Sequence, residues 1–366
     1  MILDSCNSCK GKGLVPVKKK LGVIIGGKSS EHDISLRSGF GVISNLDRQK
    51  YEIYVVIIDK DGRWYLYFGD NKRILDASWK DDKENLKCVA ITSDGCSFAL
   101  SIDGEPIKLD VVFPVLHGAN GEDGRLQGLL ELVGTPFVGC KTTSSAVCMD
   151  KDITNCILQR NGILVPPWIV CRKKDKKSLV ELQAELERVL SYPVFVKPAN
   201  SGSSLGVSKL SSASELDAAV ALAFRADDKI LIQQGVSGRE VQCAVLGNDE
   251  LIASVPSEAV PCNEFYDYEA KYLKKSGLHI PARINPVAIE AVREGAKRAF
   301  SALGCSGMAR VDGFVDDAGK IWIIEVNTIP GFTEISQYPK LMKEMGIGYV
   351  ELLDRLIALA CEGQRW

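Results

Sequence analysis

Two short apolar runs near the end of the chain carry charges where an ordinary buried strand would not tolerate them. Residues 308–315 and 321–326 are rich in β-branched and aromatic side chains, and a polar turn at 317–320 separates them, which is the composition of a β-hairpin. Within these runs stand Arg310-x-Asp312 and Glu325-x-Asn327. Side chains two apart on a strand share a face, so pairing the runs brings one guanidinium and three oxygen-bearing side chains together. Charges set among Val311, Phe314, Ile323, Ile324 and Val326 are costly unless they are partnered. Asp312, Glu325 and Asn327 offer hard oxygen donors of the kind magnesium takes beside nucleotide phosphates. A structural ion-pair network would leave the same pattern. Thr328-Ile329-Pro330-Gly331 then predicts a tight turn whose glycine amide is placed to donate to a developing oxyanion.

The rest of the chain reads as an α/β frame for that hairpin. A buried strand at 21–25 runs into Gly26-Gly27, then Ser29-Ser30-Glu31-His32-Asp33, then an apolar-periodic helix to about residue 46. Strands are expected at 53–58 and 111–116, with a hairpin turn at Asp61-Gly62. Residues 142–184 read as helix-rich with a break at Pro166-Pro167, and strands follow at 194–196, 230–233, 240–246 and 251–256. Helices are expected at 286–303 and 349–361. Strands alternating with helices predict a mixed α/β fold with a parallel or mixed sheet.

With 366 residues, two or three domains are expected. The divisions read as a flexible tail over 1–20, an N-terminal domain over 21–141, a central domain over 142–232, and a C-terminal domain over 233–366 carrying a mobile loop at 262–277. A net charge of −2 is not the basic footprint of a nucleic-acid binder. No apolar run is long enough for a membrane span, and nothing near Met1 reads as a secretory signal, so a cytoplasmic protein is expected. Twelve scattered cysteines in a chain of this size read as reduced thiols, and the lone Cys6-x-x-Cys9 as incidental.

Other segments carry candidate chemistry. Lys197-Pro198-Ala199-Asn200-Ser201-Gly202-Ser203-Ser204-Leu205-Gly206 sets a lysine at a strand end before a Gly/Ser loop, which suits polyphosphate, although a plain surface loop has the same composition. It is not a P-loop. Asp33 reads either as a helix-capping acid or as a ligand group, and His117 as a structural or a site histidine. Glu240 and Lys151 say nothing alone.

Taken in order, Glu31-His32-Asp33-Ile34-Ser35, the block from 117 to 128, Met149-Asp150-Lys151, Lys197-Pro198, Arg310-Val311-Asp312 and Glu325-Val326-Asn327-Thr328-x-Pro330-Gly331 resemble the D-alanine–D-alanine ligase family of ATP-grasp enzymes, close to the D-alanine–D-serine ligases of vancomycin resistance. The resemblance runs from about residue 21 to 359. It implies three domains with ATP clamped between the second and third. Lys151, Lys197, Ser203 and Ser204 would then hold phosphates, Glu240 the ribose, Gln233 the adenine edge, and Phe265 and Phe314 the adenine faces. Asp312, Glu325 and Asn327 would hold two magnesium ions, with manganese able to substitute. Arg310 and Gly331 would stabilise the oxyanion, and Asp33, with His117 nearby, would take the first D-alanine. Lys271 and Ser336 would take the carboxylate of the second. Tyr272 would join Ser203 and Asp33 in a latch.

Several positions depart from the family pattern. Asp33 stands where many members have Glu, Gln233 replaces a Glu, and Gly313 replaces a larger residue, which suggests a small gap. Gln337, after Ser336, is the position for second-substrate selectivity: D-alanine is the expected second substrate and D-serine the alternative. The family implies peptidoglycan precursor synthesis and a homodimer. An inactive nucleotide-binding regulator is a second class of reading. A dinucleotide-linked dehydrogenase lacks its glycine spacing.

Overall fold

The computed structural model describes residues 17–93, 98–260, 277–333 and 335–362. The expected tail up to residue 16, Cys6 and Cys9, and the loop residues Phe265, Lys271 and Tyr272 lie outside the described residues.

The first strand, Lys19–Gly26, begins two residues before the expected start and buries Leu21, Val23, Ile24 and Ile25 completely. A strand buried on both faces belongs in the middle of a covered sheet. It lies between Tyr51–Ile58 and Val111–Pro114, parallel to both, in a five-stranded sheet. Trp64–Tyr67 and then Leu86–Cys88 extend that sheet antiparallel beyond Tyr51–Ile58, with Leu86–Cys88 at the edge. The helix His32–Asn45 follows the first strand, as the glycine turn and apolar period require. A three-stranded antiparallel meander, Ala90–Ser93, Phe98–Ile102 and Glu105–Lys108, lies in the chain between that edge strand and Val111–Pro114, where the sequence pattern predicts no strand.

The next sheet has four antiparallel strands in the order Ser208–Leu210, Val194–Pro198, Lys229–Gln234 and Trp168–Arg172. Helices Leu179–Val189 and Leu216–Ala223 cover one face through Leu182, Leu186, Leu216 and Ala219. Trp168–Arg172 falls in the stretch read as helix-rich; its alternating burial at Ile169 and Cys171 marks a strand after the Pro166-Pro167 break.

The last sheet has the order Gly277–His279, Ser257–Val260, Arg239–Gly247, Gly307–Val315 and Ile321–Asn327, with Ile252–Ala253 paired beside Arg239–Gly247. Helix Pro286–Ala302 packs on it, started by Asn285, whose side chain caps the Ala288 amide, and by proline at the first turn. The final hairpin pairs Arg310 with Asn327 and Asp312 with Glu325, then shifts register so that Gly313 faces Ile323. A Cβ on Gly313 would lie 2.5 Å from the Trp322 carbonyl oxygen. The expected gap at Gly313 is therefore absent, because the bulge brings backbone against that position.

Helices Gln337–Glu344 and Tyr349–Cys361 return to the first sheet, so Leu341, Met342, Leu352, Leu353 and Leu356 share one core with Leu21, Val23, Val111 and Phe113. The described cysteines are all free thiols. Among the described residues no helix is long and apolar enough to cross a membrane.

Candidate active site

A cavity of about 1260 Å³ opens where the four-stranded sheet, the last hairpin and the start of helix His32–Asn45 meet. Its wall carries Arg310, Asp312, Glu325 and Asn327. Arg310 grips Asp312 with two parallel bonds, Nε to Oδ1 at 2.7 Å and Nη2 to Oδ2 at 2.5 Å. The Asn327 amide donates to Asp312 Oδ2 at 3.1 Å. Two carboxylates and an amide oxygen are not a closed metal cage. They are the partial set that magnesium accepts when phosphate oxygens and water complete its shell, so the donor chemistry fits that ion beside a polyphosphate.

Lys151 and Lys197 face the same space. Lys151 opens helix Lys151–Arg160, whose first amides are capped by the Asp150 carboxylate, and its Nζ donates to the Ser201 carbonyl at 2.7 Å. Lys197 is 8% exposed, and burial, reinforced by the Lys151 charge and opposed by Glu325, brings its pKa down to about 8. The loop after Lys197 puts Ser203 and Ser204 in left-handed backbone, φ 50° and 57°. Such residues are costly and cluster where a ligand is gripped.

Glu240 and Phe314 are direct cross-strand neighbours on the cavity wall. Gln233 is buried on the facing strand and donates to the Pro166 carbonyl at 3.4 Å. An aromatic ring beside a carboxylate and an amide suits a nucleoside, with the ring for the base and the carboxylate for ribose hydroxyls.

Asp33 is not at the cavity. Its side chain is 68% exposed and pairs with Lys60 at 3.1 Å. The carboxylate that this helix start brings to the wall is Glu31, and the Ser203 hydroxyl donates to it rather than to Asp33. The reason is helical phase: at about 100° per residue, positions two apart point to nearly opposite sides. Glu31, Ser35 and Ser38 form the inward row, whereas Asp33 starts the outward one. Glu122, another cavity carboxyl and one to which the sequence assigns no role, accepts from the Gly118 amide at 2.6 Å. Burial, then the nearby Glu31 charge, pushes its pKa well above the ordinary carboxylate range, although the Gly118 bond opposes the shift.

His117 is buried, with Nε2 3.0 Å from the Ser38 hydroxyl and Nδ1 3.2 Å from the Ile329 carbonyl. Burial lowers its pKa to about 4, so the ring is neutral at pH 7. Gly331, Ser336 and Gln337 line the cavity floor. Ser336 Oγ accepts from the Thr333 amide at 2.9 Å, and Gln337 Oε1 is buried without a protein partner.

Residues 20–140 match the family profile described as D-ala D-ala ligase N-terminus, and residues 157–358 the profile described as D-ala D-ala ligase C-terminus. A D-alanine–D-alanine ligase of Thermoanaerobacter sp. (strain X514) is 48% identical over 351 residues, covering 94% of this chain and 97% of the relative. The Ruminiclostridium cellulolyticum protein of the same name is 45% identical over 360 residues, covering 94% of this chain and 96% of the relative. Among solved structures, the VanG D-Ala:D-Ser ligase from Enterococcus faecalis superposes with a TM-score of 0.87 at 43% identity, covering 94% of this chain and 100% of the other. The D-alanine-D-alanine ligase from Coxiella burnetii does so with a TM-score of 0.83 at 36% identity, covering 94% of each chain.

Proposed function

The chain belongs to the D-alanine–D-alanine ligase family, and on that premise we propose that it joins two D-alanines at the expense of ATP through an acyl phosphate, as a step in peptidoglycan precursor synthesis. The observation that carries this reading is the convergence on one cavity of two lysines, a guanidinium and three oxygen donors, with Gln233, Glu240 and Phe314 on its wall.

Lys151 and Lys197 neutralise phosphate oxygens, while Glu240 and Phe314 hold the ribose and base. Asp312, Glu325 and Asn327 would hold magnesium, which when bound neutralises the transferring phosphate. Glu31 receives the ammonium of the first D-alanine and leaves its carboxylate free to take the γ-phosphate. The second amino group then attacks the acyl carbonyl. The C–N bond forms, phosphate departs with the electrons of the breaking C–O bond, and the extra amine proton passes to solvent. Arg310 and Gly331 both line the cavity, and the guanidinium and the backbone amide would stabilise the oxygen that gains charge in this step. A closed site matters because water would hydrolyse the acyl phosphate.

D-serine is the second reading for the incoming amino acid. An unpartnered Gln337 Oε1 at the cavity floor is an acceptor that a serine hydroxyl could satisfy, and the VanG neighbour is named for that product. The clamp of ATP between the second and third of three domains, a cytoplasmic location and a homodimer belong to the same proposal.

Phosphate release that requires D-alanine and a divalent cation, with dipeptides resolved by mass under equal D-alanine and D-serine, tests both readings. No phosphate released with any D-amino acid would overturn the ligase reading; the ratio of the two dipeptides decides the second substrate.

A further inference from the structure

The Gly331 amide sits in a turn whose two flanks are tied to one side chain pair. His117 Nδ1 lies 3.2 Å from the Ile329 carbonyl, and a carbonyl only accepts, so Nδ1 carries the proton. Nε2 is then the bare nitrogen and accepts from the Ser38 hydroxyl at 3.0 Å. The Ser38 oxygen in turn accepts from the Phe332 amide at 3.4 Å. Ser38 and His117 are both buried, so neither bond is exchanged for water. Burial keeps the ring neutral, and the Ile329 carbonyl, which can only accept, selects the tautomer with the proton on Nδ1.

Other contacts hold the same turn. A Cβ at Gly41, on the helix that bears Ser38, would lie 2.6 Å from the Phe332 carbonyl oxygen, so a glycine lets helix and turn approach. The Tyr349 hydroxyl donates to that carbonyl, and the Phe332 ring packs edge-on against Phe113 and Tyr349. The peptide groups before and after Pro330-Gly331 are therefore fixed from the helix His32–Asn45 side, leaving the Gly331 amide between two anchors at the cavity.

We propose that Ser38 is a positioning residue for the second chemical step, acting through His117 and Phe332 to hold the Gly331 amide where the oxyanion forms. The proposal rests on the ligase reading and on Gly331 as an oxyanion donor. An amide displaced from that oxygen weakens attack by the second amine but leaves phosphoryl transfer from ATP, which uses Lys151 and Lys197, largely intact. The acyl phosphate then survives long enough to leak.

The test uses the full chain with Ser38→Ala, which removes the hydroxyl, and Ser38→Cys, which keeps a weaker donor on a somewhat larger side chain. For each, ADP and dipeptide are measured together, hydroxylamine traps any acyl phosphate, melting reports folding, and a crystal structure reports the turn. Ser38→Ala should lower dipeptide kcat by about 10-fold, less than full loss of an oxyanion donor. Hydroxamate per ADP should rise, and KM for ATP should move by less than about 3-fold; Ser38→Cys should fall between Ser38→Ala and the parent. A purely structural serine lowers the folded fraction and keeps ADP and dipeptide at one to one, and that result overturns the proposal. An unmoved turn in Ser38→Ala defeats the relay. A displaced turn with unchanged stoichiometry defeats the oxyanion role of Gly331 instead. If the parent chain itself makes no dipeptide, the ligase reading fails. Should Ser38→Ala not fold, the ADP-to-dipeptide ratio of Ser38→Cys decides.

Discussion

Lys197 gives the most quantitative handle on the site. An ordinary lysine loses its proton near 10.5, and this one does so at about 8, because it is buried and stands beside Lys151. Bound polyphosphate restores the charged form, so a free enzyme that has lost the proton must take it up again before ATP binds. For a site titrating at about 8, the fraction ready to bind falls from about nine-tenths at pH 7 to about one-tenth at pH 9. ATP Kd should therefore rise by roughly 10-fold over that interval, whereas a lysine at 10.5 would shift it by only about 3%. The same burial has a stability consequence of definite sign. Keeping the ammonium charged costs the folded state on the order of 3 kcal/mol, fully present below pH ~8 and gone above pH ~10.5, where the unfolded chain also loses the proton. Lys197→Met should thus bind ATP poorly yet unfold at higher urea than the parent at pH 7. Lys197→Arg should flatten the pH dependence, since guanidinium stays charged. Titration calorimetry of ATP without D-alanine from pH 7 to 9 provides the assay. A flat Kd in the parent, or a slope that persists in Lys197→Arg, would refute the reasoning.

Further outcomes follow from the carboxylates and the bulge. Glu31→Gln should raise KM for D-alanine by at least about 10-fold through loss of an ion pair, while Asp33→Asn stays within about 3-fold; equal effects in initial-rate assays would restore Asp33 to the site. Gln337→Leu should lower the D-serine to D-alanine product ratio by about 10-fold in a mass-resolved competition, and an unchanged ratio would remove Gln337 from selectivity. Gly313→Ala should destabilise the chain by about 1–3 kcal/mol, read as a lower urea midpoint, because its Cβ meets the Trp322 carbonyl.

The hairpin was readable because two signals coincide in it: period-two alternation and charge among apolar neighbours. Turn residues and apolar period also disclosed Lys19–Gly26, His32–Asn45, Pro286–Ala302 and Tyr349–Cys361, to within a few residues at the ends. The choice between Glu31 and Asp33 was not readable in the same way, since it depends on helical phase, and both acids satisfy the composition of a helix start. The row of Glu31, Ser35 and Ser38, spaced four and then three, was the available clue. Ser38 itself looks like any helix serine until its partner, 79 residues away, is in place. Trp168–Arg172 and the small meander are short, and short strands offer too few alternations to outvote a neighbouring helix pattern. Of the proposed nucleotide contacts, Gln233, Glu240 and Phe314 line the cavity, which single residues of these types could not have announced.

The helix Tyr349–Cys361 seals an apolar face that belongs to strands made more than two hundred residues earlier. During synthesis the first sheet therefore emerges with Val111, Phe113 and their neighbours uncovered, and must wait for nearly the whole chain before its lining arrives. An assembly order of this kind leaves that apolar surface open for the time that translation takes, the circumstance in which nascent chains are prone to associate.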